Sequence, residues 1–558
     1  MDVRVLRAVG ARVPSGAAVV GAAVVTAALA AGCTSVKQAD SGGGSGSSGS
    51  ATANSFGTPA AATDVRSGGK LVMALSAEPD QLDPTLSRSL YSRYVFSSMC
   101  QKLYDTDTQS HIVPLLATAL PKVSDGGKTV TIPVRQNVRF ADGTPFNAAA
   151  VQATFERNLT LTGSGRKSEL GPISSVDAPD ASTVVVHLKT PFAPLTAALT
   201  DRAGMILSPT ATKRLGTKFA SAPVCVGPFK FSKRVPQNSI DLVKDPNYYD
   251  AADVHLDSIS YHIITDASIR AANLRSGDVQ VADSLSPQDV PNLQKDGSLT
   301  VLQSPSLGYQ GVSFNVGNVK GVGTPAEKIN RPTALDARVR KAFEYSIDRA
   351  GLVKVVFNGM FDPACSAISP ISEFSSPQAQ TCTPHDPGKA KELLKEAGVQ
   401  TPFPISMITS NNPDSLRLAQ ALQSMVKDGG FNLQIKPVEY ASLLDQQDAG
   451  NFELLQLGWS GRIDPDANIT NFVGTGGSQN VAGYNDPALD TLLEQARQTT
   501  DIAKRRDLYG RAVAKVQEAD PIIYLYRQRN LTGVANKIKG VQVFPDGVIR
   551  VGFAGYGK

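Results

Sequence analysis

From Gly69 to the C-terminus, strand-like and helix-like segments are interleaved along the chain, and this interleaving is the strongest constraint on its fold. Thr129 to Val134 alternates apolar and polar residues as a half-buried strand does, and Thr183 to Leu188 is β-branched at four of six positions. Asn147 to Asn158 reads as a helix capped by Asn147, with Val151, Phe155 and Leu159 on one face. Asp336 to Val356 reads as a second helical region, with Val339, Phe343 and Ile347 at four-residue steps. Asp386-Pro387 and Asp486-Pro487 open two more helices, and Gly398 is placed to end the first of these. No repeat of 20–50 residues is visible. Such a mixture folds as α/β or α+β lobes, not as an all-helical or all-β domain. With 558 residues, 41% of them hydrophobic, the chain is long enough for two or more lobes with their own cores and too apolar to be disordered throughout.

The first 32 residues stand outside this pattern. Arg4, Arg7 and Arg12 precede an apolar stretch from Ala17 to Ala31. It is shorter than the roughly 20 residues that span a bilayer and reads as the core of an export signal. It ends in Leu29-Ala30-Ala31-Gly32-Cys33, which resembles a bacterial lipoprotein lipobox, with Ala30 where a large aliphatic residue is usual. On this reading residues 1–32 are removed, and a lipidated Cys33 anchors the protein to the outer face of the cell membrane, or within the periplasm. Residues 33–68, rich in Gly, Ser and Ala, read as a tether, with order expected to begin at Gly69.

The chemistry of an enzyme is not visible. Gly127-Lys128-Thr129 has the last three positions of a phosphate-binding loop, but Lys122 stands where its first Gly belongs. The five His (111, 187, 255, 262 and 385) are scattered, and there is no Cys-x-x-Cys. No catalytic residue, metal site or cofactor is expected. A net charge of +5, from 55 basic and 50 acidic residues, is too balanced for a chain that coats nucleic acid. Beyond Cys33, four Cys remain, and in an exported protein they allow three pairings. Cys365 and Cys382 enclose a Pro/Ser/Gln-rich loop without apolar periodicity, which a bridge would pin, and Cys100–Cys225 is then the second pair by elimination.

Several segments, in order along nearly all of the remaining chain, resemble the family 5 extracellular solute-binding proteins. They include Leu82-Asp83-Pro84, the run from Val138 to Asn147, Val226-Gly227-Pro228-Phe229 and Arg275-Ser276-Gly277-Asp278-Val279. Arg338 to Phe343 with Ile347-Asp348-Arg349, Tyr484-Asn485-Asp486-Pro487 and Ala519-Asp520-Pro521 complete the set. The resemblance implies an α/β, periplasmic-binding-protein-like fold of two lobes around a cleft. Lobe one, with an extra small subdomain, would take residues 69–310, lobe two 311–525, and the chain would return to lobe one over 526–558. The crossing strands would lie near Tyr309 to Phe314 and Ile522 to Tyr526. The resemblance further implies a monomeric, non-catalytic receptor that closes on a peptide or peptide-like solute and hands it to an ABC permease and ATPase complex. A solute-sensing or chaperone-like lipoprotein without its own importer shares these features. So does a receptor for an anionic, opine-like or metal-chelate ligand, the last needing His262 or His385 at the cleft.

The segment Leu457 to Asp466 is the most informative about the cleft. In peptide-binding relatives, an Asp three residues after the Trp meets the ligand ammonium; here Trp459 is followed by Arg462. A guanidinium repels an amine and favours a carboxylate or phosphate. Asp464 and Asp466 stand ready to take the amine, or to pair with Arg462. The resemblance places Tyr309 and Gln310 at a crossing, and Ser87, Arg88 and Tyr91 beside the cleft. The expected ligand-binding residues are therefore Ser87, Arg88, Tyr91, Tyr309, Gln310, Trp459, Arg462, Asp464 and Asp466.

Overall fold

A computed structural model describes residues 53–558. The export signal, Cys33 and the glycine-rich stretch expected from the sequence lie outside the described residues. Two large sheets organise the molecule. The first has seven strands, in the spatial order Leu299–Ser304, Asn530–Ala535, Val281–Ala282, Lys70–Leu75, Ser258–Ile263, Ser239–Lys244 and Phe229–Val235. Its central strand Lys70–Leu75 runs parallel to Ser258–Ile263 and Val281–Ala282. Five of its residues are apolar, which suits a strand covered on both faces. The second sheet has six strands, in the order Asp362–Pro363, Ile522–Arg527, Tyr309–Phe314, Leu454–Trp459, Phe403–Ser410 and Phe431–Val438. A four-stranded antiparallel sheet, containing Thr129–Pro133 and Thr183–Leu188, forms the small subdomain of lobe one. Both of these strands alternate buried and half-buried residues, so one face meets the core.

Local signals account for most helix starts. Asn147 accepts a hydrogen bond from the Ala150 N–H and caps Ala148–Thr160. Asp386 and Asp486 cap Pro387–Glu396 and Pro487–Arg497, each with Pro in the first turn. The region expected as one helix from Asp336 is two, Ala337–Tyr345 and Arg349–Phe357. Asp348 between them has extended backbone and caps the second helix by accepting from the Gly351 N–H, so apolar spacing carried on through a break that the cap creates.

Three further expectations concern the disulfides, the lobe boundaries and the start of order. The bridges are Cys100–Cys225 and Cys365–Cys382, as the sequence suggested. The passages between the sheets lie immediately beside the strands near which crossings are expected. Tyr309–Phe314 lies in the second sheet between Leu454–Trp459 and Ile522–Arg527. The boundaries expected after residues 310 and 525 therefore fall inside strands, and the chain passes between the sheets at 305–308 and 528–529. Gly308 belongs to the first passage, where a Cβ would sit 1.9 Å from the Trp459 carbonyl oxygen. Order also begins before Gly69. Ser55 pairs with Gln303, and Val65–Arg66 pairs with Gly555–Gly557. Pairing with a sheet edge uses main-chain groups, so it needs no apolar periodicity and left none to read.

The candidate solute chamber

Two hollows run into one another between the lobes. They share Tyr91, Ser284, Gln310, Tyr440, Leu457 and Gln528. Lobe one contributes the helix Leu90–Met99, whose Tyr91 and Tyr94 face the space. Lobe two contributes the ends of two neighbouring strands. Tyr309 is directly opposite Trp459, and Gln310 opposite Gly458, so the antiparallel register alone brings four lining residues together. Beyond the shared wall, the second hollow is lined by Phe357, Phe361, Tyr526, Asn412 and Asp414.

The lining side chains are held from behind. Trp459 donates its indole N–H to Asn468 Oδ1 at 2.9 Å and packs edge-on against Phe472. Tyr309 packs edge-on against Tyr524, with ring centres 4.8 Å apart. Its buried hydroxyl has no hydrogen-bond partner among the described residues. Burial, with Tyr524 adding to it, holds the Tyr309 hydroxyl well above the ordinary tyrosine range, so it meets a solute as a neutral donor or acceptor. Tyr91 meets Tyr440 edge-on across the gap at 5.4 Å, and burial and Asp283 push its hydroxyl up to about 12. The arrangement offers aromatic faces and neutral hydrogen-bonding groups at low entropic cost, which suits a polar solute of modest size.

The charged groups at this wall are already engaged. Arg88 of lobe one pairs with Asp448 of lobe two. Arg270 gives its N–H groups to the carbonyls of Asp283, Ile264, Thr265 and Ser284, and so fixes the loop that carries Ser284. Asp414 pairs with Arg417 at 3.0 Å.

The nine expected residues divide accordingly. Arg88, Tyr91, Tyr309, Gln310 and Trp459 line the chamber. Ser87 does not; it is fully buried within lobe one, where its carbonyl accepts from Arg202 and Arg166. Arg462, Asp464 and Asp466 do not line it either, and bound a separate small hollow with Asp201 and Glu169. Asp464 takes a two-pronged pair from Arg505, both contacts at 2.8 Å. Asp466 accepts from Arg497 at 2.7 Å and from Thr470 at 2.6 Å. Arg462 pairs with neither; its partner is Asp201, at 2.6 Å. The mutual pairing considered from sequence fails because the helix Ile502–Ala519 brings Arg505 to Asp464, and Pro487–Arg497 brings Arg497 to Asp466. Burial would raise the Asp201 carboxyl, but Arg462, Arg93 and Arg202 hold it well below the usual range.

Tyr440, Tyr526 and Ser284 were not legible as site residues, since each comes from a distant segment. Asn412 left a signal: it caps Pro413–Asp428 by accepting from the Ser415 N–H, and a helix start after a strand end is a favoured place for a ligand. Neither His262 nor His385 lines the chamber.

With this geometry established, comparison with known proteins is decisive. Residues 111–480 match the model of the bacterial extracellular solute-binding proteins, family 5. The chain belongs to that family. The family supplies the solute-binding component of ABC importers, works outside the cytoplasm and is not an enzyme family. Glutathione-binding protein GsiB of Pectobacterium atrosepticum is 28% identical over 487 residues, covering 85% of this chain and 92% of GsiB. The binding protein AgaA of A. tumefaciens, solved with agropinic acid, is 26% identical, with a TM-score of 0.78 over 87% of this chain and 96% of AgaA. The murein tripeptide-binding protein MppA of Escherichia coli shares the fold at 23% identity, with a TM-score of 0.80 over 88% of this chain and 99% of MppA. These family 5 structures are two-lobed, and the two large sheets described above are this chain's lobes. Among the described residues, no helix is long and apolar enough to cross a membrane.

Proposed function

We propose that this protein captures short peptides or peptide-like solutes in the interlobe chamber and presents them to an ABC permease and its ATPase. The observation that carries the reading is the chamber wall itself. Tyr91, Tyr309, Gln310, Tyr440 and Trp459 converge there from both lobes, with neutral polar groups among aromatic faces. A solute touching both lobes stabilises the closed form by its differential affinity for it. The likeness to glutathione-, opine- and murein-tripeptide-binding proteins supports solutes built from a few amino-acid units. Arg88 is a lining cation able to meet a solute carboxylate, in exchange with Asp448, whereas the N–H groups of Arg270 are committed to backbone carbonyls.

The same reading has the mature protein start at a lipidated Cys33, tethered as a monomer at the outer face of the membrane. Two lipid-linked acyl chains or more give stable anchoring. Native mass spectrometry of the exported protein tests capture: a co-purified solute of peptide-like mass is expected, and a solute containing neither amide nor carboxylate would overturn it. For the anchor, Cys33→Ser is expected to move the protein from the membrane to the soluble fraction, and an unchanged distribution would overturn it.

A further inference from the structure

The two carboxylates that follow Arg462 in its own lobe are already taken. Asp464 is held by Arg505, and Asp466 by Arg497. Its partner lies across the gap: Asp201 follows the short helix Leu195–Ala198 of lobe one, whereas Arg462 follows the strand Leu454–Trp459 of lobe two. The pair is buried, with side chains 9% and 6% exposed, and its closest approach is 2.6 Å. Asp201 is also held from within lobe one. Arg93 donates Nε to its Oδ1 at 2.9 Å and pairs with Asp546 at 2.7 Å. Asp201 is thus held from within its own lobe as well as by Arg462.

The position of Arg462 is equally fixed. Asn468 accepts from the Arg462 N–H at 2.8 Å and donates to the Arg462 carbonyl at 2.8 Å. The same Asn468 oxygen accepts from Trp459 Nε1. The guanidinium lies 4.2 Å from the centre of the Trp459 ring, close enough for a cation–π contact. Arg462 Nη1 and Arg93 Nη1 both donate to Ser460 Oγ, at 3.3 and 3.2 Å. Trp459 and Ser460 both line the chamber. A second join on the same flank runs from the Ala193 N–H to the Arg497 carbonyl at 2.7 Å, with Arg497 over the Phe192 ring.

We infer that Arg462 is an interlobe clasp: it closes onto Asp201, holds the lobes shut, and ties that closure to the chamber through Trp459 and Ser460. The residue that replaces the expected ammonium-binding Asp therefore acts as a positioning residue and not as a solute contact. Parting the lobes would leave Asp201 to Arg93 and return the Arg462 guanidinium to water. Losing one member of such a buried charge pair costs more than losing an exposed one, because the remaining buried charge is less fully compensated. This inference rests on the proposed closure over a solute, and its test uses solute-free protein, so it fails or stands separately from the solute reading.

Small-angle X-ray scattering of the solute-free, refolded protein is the test, with Arg462→Gln, Asp201→Asn and Arg462→Lys alongside. Wild type is expected to lie closer than either neutral variant to the closed profile calculated from this structure. Both neutral variants are expected to shift to a larger radius of gyration, and Arg462→Lys to fall between them and wild type. The circular dichroism spectrum is expected to be unchanged, a readout that a merely structural role in the core would move. A wild-type profile more open than either neutral variant overturns the inference. Neutral variants that fold and keep the wild-type profile overturn it too, as does a Lys variant as open as the Gln variant.

Discussion

Trp459 and Asp464 are five residues apart, yet they belong to different parts of the molecule. The strand end at Gly458, Trp459 and Ser460 opens on the chamber, where the wall is aromatic and mostly neutral. Arg462, Asp464 and Asp466 turn away into a belt of buried ion pairs with Asp201, Arg505 and Arg497. The difference shows where charge is placed in this fold. Buried charges in the belt fix elements against one another, while the chamber is lined mostly by groups that need no counter-ion when it is empty.

The contrast is broken most strongly from the belt. Asp464→Ala leaves Arg505 buried without its carboxylate, and a loss of about 3–5 kcal/mol is expected in urea unfolding. Solute affinity of the folded fraction is expected to stay within twofold; a solute-binding defect without loss of stability would move Asp464 to the site. Opening the Cys365–Cys382 bridge by Cys382→Ser is expected to cost about 3 kcal/mol, since the bridge closes a short loop with a sequence separation of 17. Affinity should again hold, because neither Cys lines the chamber.

From the chamber side the pattern reverses. Gln310→Ala is expected to weaken solute binding about tenfold, or about 1.4 kcal/mol, with little change in the unfolding midpoint. A midpoint that falls while affinity holds would place Gln310 with the belt. The smallest effect is acid. The Asp201 carboxyl is depressed when folded, so the stability it contributes is present above its unfolded value of about 4 and is lost as pH falls through the lower folded value. Melting temperature is therefore expected to owe nothing to Asp201 protonation between pH 8 and 5. Loss of the pair within that window, seen as a pH dependence that Asp201→Asn removes, would contradict the pairing.

The legible parts of this protein were those fixed by local pattern. Alternation in Thr129–Pro133, the Asn147 cap and the two Asp-Pro helix starts are short-range signals, and they hold in the structure. The site was half legible. Tyr309, Gln310 and Trp459 came forward because they sit on segments that resemble the family, and the strand register then joins them. The partners of Arg462, Asp464 and Asp466 were not legible, because Asp201, Arg505 and Arg497 reach them only through tertiary packing. The sequence showed three charges near a cleft motif; it held no mark that each was already taken. Tyr440 was hidden for the same reason, and Tyr526 reaches the wall through a strand register that sets it opposite Gln310.

The central claim is that the chamber between the sheets is where the solute sits, and the chain carries its own reporter there, since Trp459 is its single tryptophan. The most direct measurement is a fluorescence titration of the solute-free protein with reduced glutathione and a panel of free di- and tripeptides, in wild type and Gln310→Ala. A saturable change in Trp459 emission with at least one of these solutes is expected, displaced about tenfold to higher concentration in the variant. Saturable binding seen by calorimetry with no change at Trp459, or with the same midpoint in both proteins, would contradict the assignment of this chamber.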